Sequence, residues 1–202
     1  MQHNIHFNEK NFKFKTLNKI SNDEINELCK LLKKNLPNDL IHLLGLHFTK
    51  KYLKSFLIKN AKFICVFDKK KIIGFILLKF QKEKIIKYLT INSFCNLLLN
   101  LLYNPFNFLR IILQIPKYQK NYDKSCEIEY FVVSKKYQSK GIGKKLIKIS
   151  EKIAKIKKLQ KIYTKTYNEK LAKYYINKKK AFLYKFFKIS NYKYYYFYWY
   201  IK

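Results

Sequence analysis

The chain has 202 residues, 49% hydrophobic and 18% aromatic, and a formal net charge of +32. That length holds one domain with a full core, and the apolar content excludes a disordered chain. The charge invites a nucleic-acid or anionic-membrane reading, but only Arg110 of the 44 basic residues is arginine, and specific phosphate and base recognition favours arginine's planar fork. Nucleic acid is therefore disfavoured as a partner, and the lysines read as a compositional bias on a solvated surface that also steers anionic ligands.

Phe12–Leu17 alternates Phe-Lys-Phe-Lys-Thr-Leu and predicts a first strand. Ser21 and Glu24 form a capping box, opening a helix through Ile25, Leu28, Leu31 and Leu32 that ends near Pro37. A second helical stretch is expected over about 40–58, interrupted at Gly45. Residues 61–67 and 71–80 read as a hairpin joined by Asp68, Lys69 and Lys70, with Gly74 marking a bulge or a close backbone approach. Residues 81–122 form a long insertion. Its centre, 94–115, is apolar enough by length for a membrane span. However, Asn96, Asn100, Asn104, Asn107, Arg110 and Gln114 share one helical face, and Pro105 breaks the run. The reading is an amphipathic helix or helix pair without a transmembrane span, either packed on the core or walling an acceptor site.

A strand follows over 127–133, then a turn through Gly141 and Gly143, then a helix to about 158 that buries Leu146, Ile149, Ile153 and Ile156. The whole chain holds four glycines, Gly45, Gly74, Gly141 and Gly143, so two of the four lie in this one turn. A glycine-lined strand-to-helix turn offers free N–H groups at the positive end of a helix, where phosphate or pyrophosphate can dock. Next come a strand over 161–166, a helix over 168–177, and two strands over 182–189 and 192–201 that pair as a hairpin. Tyr194, Tyr195, Tyr196, Tyr198 and Tyr200 make the last strand either a half-buried aromatic strand or a stacking platform for bases. Cys29, Cys65, Cys95 and Cys126 are far apart and read as small buried hydrophobes in a reducing compartment. His3, His6, His42 and His47 lack metal-ligand spacing, so no metal is expected. The polar N-terminus carries no apolar signal region, which predicts a cytoplasmic protein. There are no repeats and no linker, so residues 1–202 are read as a single domain.

Gln138-Ser139-Lys140-Gly141-Ile142-Gly143 fits the Gln/Arg-x-x-Gly-x-Gly/Ala signature of the GCN5-related N-acetyltransferase (GNAT) superfamily. Downstream, Asn168 followed seven residues on by Tyr175 matches that family's second signature. The strand before the turn resembles the family's fourth strand, and the resemblance covers nearly the whole chain. It implies an α/β (α+β) fold: a mixed, mostly antiparallel central sheet flanked by helices, here with the 81–122 insertion before the fourth strand. It implies acetyl-CoA as co-substrate and transfer of an acetyl group to a primary amine. Backbone groups of Phe131, Val132 and Val133 would pair with pantetheine. The turn of Gln138, Ser139, Lys140, Gly141, Ile142, Gly143 and Lys144 would hold the pyrophosphate. Asn168 would contact the cofactor or serve as an N-cap.

Glu127 lies fourteen residues before Gly141, the place of a general-base glutamate in several family members. Glu129 has the same strand parity and is the second candidate; for either, a carboxylate paired with lysine is the plainer reading. Tyr175 matches the family's general-acid tyrosine, with Tyr174 as its neighbour and fallback. One departure stands out: where the family carries Gly-Phe after the tyrosine, this chain reads Lys178-Lys179-Lys180-Ala181-Phe182. The acceptor stays open between a small amine such as an amino sugar and a protein N-terminus or lysine. A non-catalytic basic protein on RNA or an anionic membrane is the alternative class, and a homodimer also stays open.

Overall fold

The computed structural model describes residues 6–9, 12–37, 39–58, 61–80, 95, 98–99, 102, 124–189 and 192–201. In chain order its elements are β1 (His6–Glu9), β2 (Phe12–Leu17), α1 (Asn22–Asn35), α2 (Leu40–Leu43), α3 (Leu46–Ile58), β3 (Lys62–Asp68), β4 (Lys71–Lys79), β5 (Ser125–Val133), α4 (Ile142–Ile156), β6 (Lys161–Thr166), α5 (Glu169–Lys179), β7 (Phe182–Ile189) and β8 (Tyr192–Tyr200). The strands form one sheet of eight in the order β1-β2-β3-β4-β5-β6-β8-β7. Only β5 and β6 run parallel; every other neighbouring pair is antiparallel. A parallel pair needs a crossover, and the glycine turn with α4 supplies it. The sheet is mixed and mostly antiparallel, as expected from the sequence. Phe12–Leu17 is its second strand, because His6–Glu9 pairs ahead of it.

Local signals set the boundaries. The Ser21 hydroxyl accepts from the Glu24 N–H at 3.2 Å, and the Glu24 carboxylate accepts from the Ser21 N–H at 2.8 Å, closing the capping box of α1. Gly45, at φ 88°, separates α2 from α3. The β3–β4 hairpin turns on Lys69 and Lys70, because Asp68 already pairs with Lys71. Opposite Gly74, a Cβ would sit 2.9 Å from the Val132 carbonyl oxygen, so only glycine lets β4 and β5 approach there.

Both sheet faces are covered at the centre. Ile25, Leu28 and Leu32 of α1 and Phe48, Leu53 and Phe56 of α3 pack with Phe63, Cys65, Phe75 and Leu77. On the other face, Leu146, Ile149 and Ile153 of α4 and Tyr175 of α5 pack with Ile64, Val66, Ile76 and Leu78. This is why β3 and β4 read as near-continuous apolar runs. In β5 the alternation reverses midway. Cys126 and Ile128 belong to the α4–α5 side, whereas Tyr130 and Val132 belong to the α1–α3 side. The cause is a β-bulge: Leu78 pairs with Ile128 and Leu77 with Tyr130, leaving Glu129 as one extra residue. The 81–122 insertion, with Asn96, Asn100, Asn104, Asn107, Arg110 and Gln114, lies almost wholly outside the described residues.

Candidate active site

The bulge opens a cleft. Pairing of β5 with β6 runs from Ser125↔Lys161 to Ile128↔Thr164 and stops there. Beyond it, Glu129–Val133 stays with β4 alone, and a pocket forms between the strands. Its walls are Ile128, Glu129, Tyr130 and Phe131 from β5, Thr164, Lys165 and Thr166 from β6, and Tyr167, Leu171 and Tyr175 from the segment leading into and through α5. Leu36, Asp39 and Tyr194 complete it.

The pleat decides which backbone groups face the opening. The Val132 carbonyl is turned to β4 beside Gly74, and the Ser134 N–H donates to the Ile73 carbonyl at 2.8 Å. Peptide groups alternate sides along a strand, so those of Phe131 and Val133 face the cleft and those of Val132 do not. Of the three residues that the sequence resemblance names for pantetheine, Phe131 and Val133 have this orientation. The Val133 carbonyl already accepts the Gln138 side-chain amide at 2.8 Å. Gln138 thus ties the turn to the end of β5.

The turn itself is built on left-handed backbone. Ser139 has φ 62° and Gly141 φ 78°, and α4 starts immediately afterwards. Its first intrahelical bond here is from the Lys145 N–H to the Gly141 carbonyl, at 3.1 Å. The amides of Ile142, Gly143 and Lys144 precede that ladder and have no intrahelical acceptor. Gly143 lets the helix press against β5: a Cβ there would lie 3.1 Å from the Phe131 ring. The Tyr137 hydroxyl donates to Asp68 at 2.6 Å, anchoring the turn to the β3–β4 hairpin. Lys136 and Lys140 lie over the Tyr137 ring, at 4.6 and 5.4 Å. Together these features make a cationic cradle of free N–H donors at a helix start.

Glu127 and Glu129 meet at one buried ammonium. Lys79 lies 3.5 Å from Glu127 and in direct contact with Glu129, and Lys165 is 3.6 Å from Glu129 on its other side. The Tyr196 hydroxyl donates to Glu127 at 3.1 Å. For Glu129, burial works against the charged form, but Lys79 and Lys165 outweigh it and hold the carboxyl down to about 2. The Lys165 ammonium is correspondingly raised, chiefly by Glu129. Glu129 lines the pocket, while Glu127 lies behind it on the same sheet face.

Tyr175 is fully buried and lines the opposite wall. Its ring stacks on Trp199, centroids 5.4 Å apart and planes 20° apart. Its hydroxyl lies beside Thr164 and makes no hydrogen bond among the described residues. Burial raises its pKa above the ordinary phenol value, so it stays protonated through neutral pH. Trp199 is held in turn: its indole N–H donates to Glu151 of α4 at 2.8 Å, and Lys179 pairs with the same carboxylate at 2.8 Å. The missing Gly-Phe is absorbed at the helix exit. Lys180 takes the left-handed conformation a glycine would, φ 52°, and the Ala181 N–H donates to the Tyr175 carbonyl at 3.1 Å. Tyr174 is the ring's neighbour, at 6.0 Å, and is not part of the pocket lining. Asn168 caps α5, accepting from the Leu171 N–H at 3.1 Å.

Sequence reasoning missed Lys79, Lys165, Tyr196, Trp199 and Glu151. Each acts across a long-range strand or helix contact, and no local pattern marks them. Burial pushes the thiol of Cys29 up to about 11 and that of Cys126 up to about 12, which makes both poor nucleophiles, whereas Cys95 is exposed, contrary to the sequence expectation of a buried residue. Among the described residues, no group of His, Cys, Asp or Glu could hold a metal ion, and no helix is long and apolar enough to cross a membrane.

The profile of the acetyltransferase (GNAT) family matches residues 25–179. No curated protein matches the chain at a significant level. Solved structures similar to the chain include an N-acetyltransferase from Staphylococcus aureus Mu50, with TM-score 0.63 at 10% identity over 96% of this chain and all of that one. Another is an acetyltransferase of the GNAT family from the same organism, with TM-score 0.56 at 16% identity over 94% and 99%. A third is the NatC complex bound to Gag peptide and CoA, with TM-score 0.58 at 13% identity over 95% and 99%. The chain belongs to the acetyltransferase (GNAT) family and is an acetyl-transferring enzyme.

Proposed function

We propose that this chain moves the acetyl group of acetyl-CoA to a primary amine in the cleft between β5 and β6. The observation that carries the reading is the cleft itself. A free strand edge leads from the glycine turn to a buried, unpartnered tyrosine hydroxyl, with a carboxylate cluster on the opposite sheet face. The amides of Ile142, Gly143 and Lys144, backed by Lys140, would bind the pyrophosphate. Phe131 and Val133 would pair with the pantetheine arm. Amine attack on a thioester needs a base to take the ammonium proton and a donor for the departing thiolate. Glu129, held ionised by two lysines, is a poor proton acceptor. Glu127, which Lys79 and the Tyr196 hydroxyl meet behind the pocket, is the base we assign, and it takes the proton through a bridging water. Tyr175 donates its proton to sulfur.

The acceptor we favour is a small amine such as an amino sugar, in keeping with the Asn-rich face read from the sequence of the insertion. A peptide N-terminus is the second reading, favoured by similarity to the NatC complex bound to Gag peptide and CoA. We place the protein in the cytoplasm, where the free thiols of Cys29, Cys65 and Cys126 stay reduced. The test is calorimetry with acetyl-CoA, then thiol release with amino sugars and with peptides as acceptors. Glu127→Gln should lower turnover by about 10²–10⁴ at neutral pH and by less at high pH, where the amine is already neutral. Absence of acetyl-CoA binding defeats the reading; an unchanged rate in Glu127→Gln defeats the base assignment alone.

A further inference from the structure

Among the described residues, the far end of the sheet carries an unusual concentration of apolar surface. Phe182 (52%), Leu183 (51%), Tyr184 (56%) and Phe186 (60%) are each more than half exposed on β7, and Tyr200 of β8 joins them at 52%. Among the described residues, β7 is a sheet edge that pairs only with β8. Its apolar side chains leave from both faces. Phe182 and Tyr184 pack beside Tyr198, with Tyr184 also against Tyr196 and Tyr163, while Phe186 shares a lysine with Tyr195 on the other face. Lysines accompany the rings on each side. Lys161 lies over Tyr198 and Tyr200 at 5.6 and 5.1 Å, Lys193 lies over Phe186 at 4.9 Å, and Lys185 is exposed between them.

Contiguous exposed apolar surface of this kind marks an interaction site, and the charge decides the partner. A second copy of the chain would bring like charges together along this edge, in a protein of net charge +32. Stacked bases need open ring faces, but Phe182 already stacks on Tyr198, 19° apart, and lysines cover Tyr198, Tyr200 and Phe186. An edge that is apolar on both sides and fringed with lysine fits a lipid interface. There aromatic rings settle at headgroup depth, and lysine stems reach back to anionic headgroups.

We propose that the β7–β8 edge docks the protein on the surface of an anionic lipid bilayer, with Tyr184 and Phe186 entering the interfacial layer and Lys161, Lys185 and Lys193 meeting the headgroups. This surface is separate from the acetyl-transfer cleft, and its test does not need activity. The full chain is sedimented with vesicles of phosphatidylcholine alone and with vesicles of equal parts phosphatidylcholine and phosphatidylserine. Binding is expected only to the second. The double variant Tyr184→Ala/Phe186→Ala should bind those vesicles at least about tenfold more weakly, since burying one aromatic ring accounts for that much. Lys185→Glu, which alters no ring, should weaken binding at low salt. No binding to the anionic vesicles overturns the proposal. So does equal binding by the double variant, which would make the attraction purely electrostatic. A double variant that loses single-stranded RNA binding but keeps vesicle binding would hand the surface to RNA.

Discussion

Replacing Tyr175 by phenylalanine should make the protein more stable and the enzyme slower. The Tyr175 hydroxyl is fully buried and makes no hydrogen bond among the described residues, with Thr164 beside it. A buried polar group without a partner costs roughly 1–3 kcal/mol. The ring itself, stacked on Trp199 and packed against Phe197, is unchanged by the substitution. Thr164 recovers part of the penalty, so the gain belongs at the low end, about 1 kcal/mol, or about 2–4 °C in Tm for a chain of this size. Turnover should fall about 100-fold or more, the usual contribution of a positioned proton donor. Thermal melts without ligand and thiol-release assays with a working acceptor give the two readings. Acetyl-CoA should raise the Tm of both proteins by the same amount at equal saturation. A lower Tm in Tyr175→Phe would mean that the hydroxyl has a partner in the free protein. Unchanged turnover would remove it from the chemistry.

The other expected outcomes concern the turn, the carboxylate cluster and the tryptophan clamp. Gly141→Ala should cost about 1–2 kcal/mol from backbone strain alone, because a Cβ there meets nothing within 4 Å; urea melts measure the loss, and calorimetry shows whether acetyl-CoA binding falls with it. Glu129 has its folded value depressed from 4.5 to about 2, so its contribution is present above pH 4.5 and is lost as pH falls toward 2. Urea midpoints across that range should drop in the wild type and drop less in Glu129→Gln, which will start lower at neutral pH because Lys79 and Lys165 lose their counter-charge. Glu151→Ala should shift the emission of the chain's single tryptophan to the blue, since the indole loses an anionic hydrogen-bond acceptor, while Glu151→Gln should keep an acceptor and shift it less.

The sequence carried whatever depends on near neighbours. The capping box of Ser21 and Glu24, the break at Gly45, the hairpin around Lys69 and Lys70 and the turn at Gly141 are set within a few residues, and their chemistry is readable there. Tyr175 was legible through the spacing of two motifs, although the altered helix exit obscured it. Lys180 shows how a non-glycine residue can take the same left-handed turn. What stayed hidden depends on partners far along the chain. The pairing of His6–Glu9 rests on a neighbouring strand, and the placement of β8 between β6 and β7 cannot be read from a hairpin pattern. The two glutamates keep the shared lysine that equal parity predicts. Yet the reversal of faces beyond them, and with it the withdrawal of Val132 from the cleft, follows from a bulge that only the register with β4 reveals. The last strand divides in the same way: Tyr195 packs on the α4–α5 core, whereas Tyr196 reaches Glu127 on the opposite face.

The one extra residue at Glu129 also bears on how such an enzyme can diverge. Glu127, Lys165 and Tyr196 hang from one face of the sheet, and Tyr175, Trp199 and Glu151 are gathered on the other, with the backbone of β5 and β6 between them. Changes on opposite sides that share no packing neighbour combine additively to within about 0.3–0.5 kcal/mol. The half we assign to the amine can therefore be rebuilt one substitution at a time while the half we assign to sulfur is inherited intact. A deletion at position 129 would remove the bulge and its pocket-lining carboxylate together, while Ile128 stays opposite Leu78 and Tyr130 opposite Leu77, so the residues on either side keep their faces.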